Sequence, residues 1–288
     1  MTLIFDLHAH SNISDGLLSP AELVAHAAMH GVGVLALTDH DDVSGLQAAR
    51  VAAVKHNIQL VDGVEISVTW KKRTLHIVGL KVNPENVALK AALLEVRLAR
   101  DLRAQQMGES LAKAGIAHAY EGAKAIAKQS IITRVHFARF LVENGYAKDT
   151  KTVFKKYLVK GKPGFVDHQW MDLAQAVTLI TDSGGSAVIA HPGRYELGSV
   201  NMLELLSAFR SYGGVAIEVV TGSHTPPQYQ QFAKLAHQFS LKSSLGSDYH
   251  GKGISFMEMG RLPALPSNCV PVWQDWPELA LHEANALS

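Results

Sequence analysis

Histidines and carboxylates recur in this chain just after short apolar runs. His8-Ala-His10 follows Leu3-Ile4-Phe5, and Thr38-Asp39-His40 follows Val32 to Leu37. Residues two apart on a strand share a face, so His8 and His10 can address one ion while Ala9 points away. Glu65, His76, His191, Asp248 and His250 stand at comparable places, and Asp15 lies a few residues beyond His10. Imidazole suits zinc, iron, copper or nickel, and carboxylate adds manganese and magnesium. A structural zinc uses four ligands and a catalytic zinc three plus water. His8, His10, Asp15, His40, Glu65, His76, His191, Asp248 and His250 together exceed the needs of one ion. They fit two or three that share bridging groups, Glu65 foremost. Three divalent ions against three carboxylates leave such a site positive, which favours a phosphate dianion over a neutral amide. Clustered ions also generate hydroxide at neutral pH and clamp the oxygens of an in-line displacement.

The elements that must carry these residues alternate. Strands are expected at Leu3–Leu7, Val32–Leu37 and Gln59–Val64. A hairpin, Ile66–Trp70 with Thr74–Leu80, turns around Lys71-Lys72-Arg73. Helices fall between them, the first opened by Ser19-Pro20 with Glu22, which places proline at the first helical position. From about residue 84 the strand signal vanishes. Val87–Ala114 reads as one long helix, followed by shorter ones at Glu121–Gln129, Thr133–Glu143 and Thr150–Lys156. Alternation then resumes with helix Leu173–Asp182, strand Ala187–Ala190, helix Met202–Ser211, strand Val215–Val219, helix Gln228–Gln238 and strand Leu241–Gly246. Strand–helix alternation implies parallel strands with crossover helices. Polar groups collected at the strand C-termini mark the active face of a barrel. The organisation expected is a barrel in two parts, 1–83 and 165–288, interrupted by a helical insertion at 84–164. The tail after Ser255, rich in proline and tryptophan, is expected to pack on the outside.

The bulk numbers exclude several classes. At 288 residues, 47% apolar and 18% charged, the chain is an ordinary globular one. A net charge of +1 without a long basic run gives no duplex DNA surface. A single cysteine, Cys269, rules out an internal disulfide framework and a thiolate zinc site. No leader or membrane-length apolar run is read, so a cytoplasmic protein is expected.

At this point the residues match a known pattern. His8-Ala-His10 with Ser11 and Asp15, Thr38-Asp39-His40, Glu65, Leu75-His76, Ala190-His191-Pro192 and Ser247-Asp248-Tyr249-His250 resemble the four motifs of the PHP (polymerase and histidinol phosphatase) family. The resemblance implies an α/β fold: a distorted, TIM-like (β/α)7 barrel with a trinuclear metal centre and phosphoesterase activity. It groups His8, His10, Glu65 and Asp248 on one ion, Glu65, His76 and His191 on a second, and Asp15, His40 and His250 on a third. The expected cofactors are two or three divalent ions, manganese foremost, with iron or zinc also compatible. Ile132-Thr133-Arg134-Val135-His136-Phe137-Ala138 and Gly161-Lys162-Pro163 are similar to the cap of PHP proteins that act on nucleotide 3′,5′-bisphosphates and short RNA 5′ ends. The implied reaction is removal of a 3′-phosphate by a metal-bridging hydroxide. The nearest alternative is 5′-3′ exoribonuclease action on short oligonucleotides; more distant ones are amide hydrolysis and a metal-binding module without catalysis.

Further candidates surround this set. Arg134 and His136, at a helix start, can present charge and free N–H groups to an anion. Arg194, three residues after His191, can grip phosphate bidentately. His224 is a candidate proton donor or phosphate ligand, and Lys160 a weaker substrate contact. Asp39 is read as a group that orients a ligating imidazole; Glu218 falls on the same face but outside the motifs, where a supporting role, plain solvation or function are all open. His26, His30, His56, His118, His168, His237 and His282 lie away from the motifs and are read as ordinary.

Overall fold

The computed structural model describes residues 3–128 and 131–277; Gln129 and His282 lie outside the described residues. Strand β1 (Phe5–Asp6) pairs in parallel with β2 (Val34–Leu37), and β2 with β3 (Gln59–Trp70). β4 (Arg73–Leu80) runs antiparallel to β3, and β6 (Ser186–Ile189) antiparallel to β4. The parallel set continues through β7 (Ala216–Thr221) and β8 (Lys242–Gly246), while the short β5 (Met171–Asp172) sits beside β3. The sheet closes where the Leu7 N–H donates to the Leu245 carbonyl at 3.1 Å and the Asp248 N–H to the His8 carbonyl at 2.9 Å. Seven strands therefore make the distorted barrel expected from the sequence, with one strand reversed.

Two elements differ from the sequence reading. Gln59–Val64 and Ile66–Trp70 are one continuous strand of 12 residues, because no turn residue follows Val64. Glu65 consequently sits mid-strand rather than at a strand end. The tail is not outside. Val272 and Trp276 join the barrel-interior cluster of Leu7, Val34, Ala36, Val188 and Ala216, and Trp273 stacks on Phe5 at 4.2 Å. Burial of large ring area beneath short strands accounts for this placement.

Helix α1 (Pro20–Met29) starts with the expected capping box between Ser19 and Glu22. It packs with α2 (Leu46–His56) on one side of the barrel. The insertion holds α3 (Val87–Lys113), α4 (Ala119–Ala127), α5 (Arg134–Glu143) and α6 (Thr150–Val153), ending in a π turn at Phe154–Leu158. The first turns of α3, through Leu89 and Leu93, belong to the barrel core; its last turns join Phe137, Leu141 and Leu158 in a separate cluster. One rigid helix thus fixes the insertion relative to the barrel. Gly108 makes the α3–α4 approach possible, since a Cβ there would lie 2.5 Å from that of Tyr120. On the other side of the barrel α7 (Leu173–Asp182), α8 (Ser199–Ser211) and α9 (Pro226–Gln238) complete the outer layer. No helix among the described residues is long and apolar enough to cross a membrane.

Candidate metal centre and substrate cleft

All nine sequence-read ligands converge at one end of the barrel. His8 Nε2 and His10 Nε2 lie 3.0 Å apart, and both face Glu65 and Asp248 at 3.3 to 3.6 Å. His76 Nδ1 and His191 Nε2 each stand 2.9 Å from Glu65 Oε1. His40 Nδ1 lies 2.8 Å from Glu65 Oε2, and His250 Nε2 lies 3.2 Å from Asp15 Oδ1. Glu65 is therefore central, touched by imidazoles from five places in the chain.

The donor set fits divalent ions better than it fits hydrogen bonds. Asp15 Oδ1, His40 Nδ1, Glu65 Oε2 and His191 Nδ1 are buried without a hydrogen-bond partner. His40 and Glu65 approach closely yet lack hydrogen-bond geometry. Electron-rich atoms 3 to 3.5 Å apart suit ligands that each stand about 2.0–2.2 Å from a shared cation. Unpaired buried polar atoms are otherwise costly. Two of these candidate ligands also occupy left-handed backbone, His191 at φ 27° and Asp248 at φ 56°. Non-glycine residues hold such conformations at a cost, commonly at functional sites.

Neighbouring groups set the orientation. His8 Nδ1 is 2.7 Å from Glu218 Oε1, leaving Nε2 for the centre, and the other Glu218 oxygen accepts the His191 N–H at 2.6 Å. Burial opposes the charged form of His8, but Glu218, Glu65 and Asp248 hold its pKa well above the ordinary range. His10 has the opposite balance. Burial and the like-charge repulsion of His250 and His40 push it down to about 3. Asp39 accepts from the Ser11 N–H, the Ser11 hydroxyl and the Ser14 hydroxyl at 2.6 to 2.8 Å. It fixes the His10–Asp15 loop rather than the imidazole beside it, His40.

Above the centre lies a cleft of about 350 Å³. Asp15, His40, His76, His191, Asp248 and His250 line its floor, and Arg100, Arg103, Arg134 and Arg194 its walls. Arg100 is neutralised by Asp41 at 2.7 Å and bonds the Ser67 hydroxyl at 2.6 Å. Arg194 donates one N–H to Asp248 at 2.6 Å. Neither Arg103 nor Arg134 forms a salt bridge among the described residues. Burial, then repulsion from neighbouring guanidinium groups, lowers both pKa values, that of Arg103 to about 10 despite the opposing pull of Asp167. A largely half-buried guanidinium cluster short of carboxylates is a site for anions.

The comparisons with known proteins agree. The model of the PHP domain matches residues 6–221. The chain belongs to the PHP family. A 3′,5′-nucleoside bisphosphate phosphatase of Chromobacterium violaceum is 46% identical over 94% of this chain and 95% of its own. A 5′-3′ exoribonuclease of Haemophilus influenzae is 42% identical over 95% of this chain and 99% of its own. A solved amidohydrolase structure from Chromobacterium violaceum with bound sulfate superposes with a TM-score of 0.91, at 46% identity over 94% of this chain and 95% of that one. This PHP protein is accordingly a hydrolase of phosphoric esters, and its family and ligand clusters point to divalent metal binding.

The residues expected around the PHP centre separate into two groups. Arg134 and Arg194 face the cleft. His224 does not: its Nδ1 donates to the Val219 carbonyl at 3.0 Å and its Nε2 accepts the Gly193 N–H at 3.0 Å. With both nitrogens engaged and the ring buried, it holds the Gly193–Arg194 turn instead of offering a proton. Gly193 permits this contact, since a Cβ there would meet the His224 ring at 2.8 Å. His136 Nδ1 accepts the Thr133 N–H at 3.1 Å, closing the cap of α5. It borders a neighbouring groove with Arg139 rather than the cleft that holds Arg134. Lys160 is exposed and outside the cleft lining.

Arg100, Arg103, Trp170 and Tyr195 do not stand out in the sequence, and His168 reads there as ordinary, yet all five stand at or beside the cleft. Arg97, Arg100 and Arg103 recur every three residues along α3, a helix-face signal that was available. The Tyr195 hydroxyl accepts the His76 N–H at 2.9 Å and donates to the Ala190 carbonyl at 2.7 Å. It thereby holds two ligand-bearing strands together. Trp170 lies 4.7 Å from the Arg100 guanidinium and 4.2 Å from the His168 ring.

Proposed function

We propose that this chain removes the 3′-phosphate of nucleoside 3′,5′-bisphosphates, leaving a 5′-monophosphate and phosphate. The observation that carries the proposal is the two-pole cleft. Its floor gathers carboxylates and imidazoles, and its wall gathers guanidinium groups without enough carboxylates to neutralise them. A substrate with two phosphates satisfies both poles at once. The bisphosphate phosphatase and exoribonuclease relatives, similar over nearly the whole chain, support the same reading.

His8, His10, Glu65 and Asp248 would hold one divalent ion, Glu65, His76 and His191 a second, and Asp15, His40 and His250 a third. Manganese, iron and zinc all accept this ligand set. Such ions supply positive charge to phosphoryl oxygens and acidify water for attack. The remaining work falls to side chains. Arg194, tied to Asp248 through one N–H, keeps further donors for the scissile phosphoryl group. Arg134 and Arg103 bind the second phosphate and so fix the distance between substrate and floor. Trp170 and His168 offer ring faces for a base. His136 and His224 serve by position, holding the first turn of α5 and the Gly193–Arg194 turn.

A second reading draws on the same rim. The ring faces of Trp170 and His168 beside Arg103 suit a longer substrate, namely a 5′-phosphorylated short RNA. Incubation of the manganese-loaded protein with adenosine 3′,5′-bisphosphate, beside 5′-phosphorylated di- and trinucleotides, separates the two. Fast phosphate release from the bisphosphate alone supports the nucleotidase. Mononucleotides from the oligomers make the protein an exoribonuclease, with the bisphosphate a small mimic of an RNA end. Inertness toward all three substrates overturns the nucleotide reading.

A further inference from the structure

A second group of metal-ligating side chains stands apart from the cleft. His26 and His30 lie four residues apart at the end of α1, which puts them on one face of the helix, with ring centroids 4.2 Å apart. Glu258 Oε1 lies 2.8 Å from His26 Nε2. One nitrogen or oxygen from each of the three falls within 4.8 Å of the others. In the sequence both histidines look ordinary, because their third partner is more than two hundred residues away.

We propose that His26, His30 and Glu258 form a separate site for a zinc-class divalent ion, which fastens the Glu258–Gly260 segment to the end of α1. The tautomer of His30 favours it, and His26 Nε2 already faces the carboxylate that would share the ion. His30 Nδ1 stands 2.9 Å from the His26 carbonyl oxygen. A carbonyl only accepts, so the proton is on Nδ1 and the Nε2 lone pair is free, as in most metal-bound histidines. An ion pair with Glu258 would need one imidazole only. A neutral His26 can donate to Glu258 and leave His30 Nε2 unused, whereas a bound ion would engage both imidazoles and the carboxylate together.

The surroundings hold the three groups in place. Glu258 Oε1 also accepts the Met259 N–H at 3.0 Å, and Met259 is buried in the cluster of Leu23, Ala27 and Tyr249. Gly260, at φ 71°, lets the chain pass close to the helix end, since a Cβ there would lie 2.2 Å from the His30 carbonyl oxygen. Two imidazoles and one carboxylate leave a fourth tetrahedral position for water. The half-buried setting makes the ion exchangeable. The ring of His26 stacks on Tyr249 at 5.0 Å, between Asp248 and His250 in the chain. The clamp therefore adjoins the segment after β8 that carries Asp248 and His250, two candidate ligands of the main centre.

The test compares wild-type protein with His30→Ala and Glu258→Gln after loading with excess zinc and removal of free ion. Metal content and thermal unfolding are read on all three. Wild-type protein should hold one zinc per chain more than either variant, and added zinc should raise its Tm further. Should His30→Ala fail to fold, Glu258→Gln decides, because glutamine can still bond His26 and the Met259 N–H while ligating poorly. Equal zinc content in wild type and Glu258→Gln overturns the proposal. Neither variant touches the cleft, so the result is independent of the substrate reading.

Discussion

Glu218 takes the Nδ1 side of His8 at 2.7 Å while its second oxygen takes the backbone N–H of His191 at 2.6 Å. One buried carboxylate thus orients ligands from two strands. Glu218→Gln keeps the volume but lets the amide rotate and offer a donor to His8. Metal affinity should fall about 10–100-fold, the usual cost of losing such a partner, with the far-UV circular dichroism unchanged. Chelator competition measures it; an unaltered affinity would remove Glu218 from the site.

Asp15 and His250 approach each other at 3.2 Å from opposite ends of the chain. Asp15→Ala or His250→Ala should leave one ion fewer per chain and remove most phosphate release. Metal analysis of the purified variants, beside turnover, checks both halves of the statement. Full metal content with wild-type turnover would refute the ligand assignment.

Arg134 and Arg103 line the cleft and, in the proposed function, hold the second phosphate. A hydrogen bond to a charged group is worth about 1.5–3 kcal/mol, or roughly 10–150-fold in binding. Arg134→Ala should therefore raise KM for a bisphosphate by at least about tenfold and leave KM for a simple aryl phosphate nearly unchanged. Equal effects on the two substrates would defeat the two-pole geometry.

The candidate metal centre is legible because its proposed ligands are imidazoles and carboxylates, most of them delivered at strand ends marked by apolar runs. Parallel strands read as uninterrupted buried segments, and the capping box at Ser19 and Glu22 announced α1. What escaped depended on contacts distant in sequence. The anion wall comes from α3, where Arg100 and Arg103 resemble any charged helix face until Asp41, Trp170 and the cleft are in place. His224 carried a plausible spacing from Glu218 but spends both nitrogens on Val219 and Gly193. The tail had no periodicity because it contributes single rings to the barrel, not a face.

His136 provides a pH signature. Burial pushes its pKa down to about 4 from the ordinary 6.5. Between those values the unfolded chain binds the proton and the folded one does not, so stability rises with pH across that window and is lost on acidification. The drop corresponds to on the order of 3 kcal/mol. Chemical denaturation of wild type and His136→Asn at pH 4.5 and pH 7 should show a smaller pH dependence in the variant. Parallel curves would mean that His136 titrates normally.

Trp276 separates stability from catalysis. Its ring is 8% exposed and lies with Leu7, Val34 and Val188 inside the barrel, whereas the ligands occupy the opposite ends of these strands. Truncation of a buried tryptophan costs about 3–5 kcal/mol, because the transfer energy is lost and the barrel cannot collapse into the space. Trp276→Ala should unfold at markedly lower denaturant concentration. In the folded variant kcat and metal content should stay near wild type, since no ligand touches the ring. A large fall in metal content at full folding would show that the plug also sets the spacing of the strand ends. Unchanged stability would mean that the tail merely rests against the barrel.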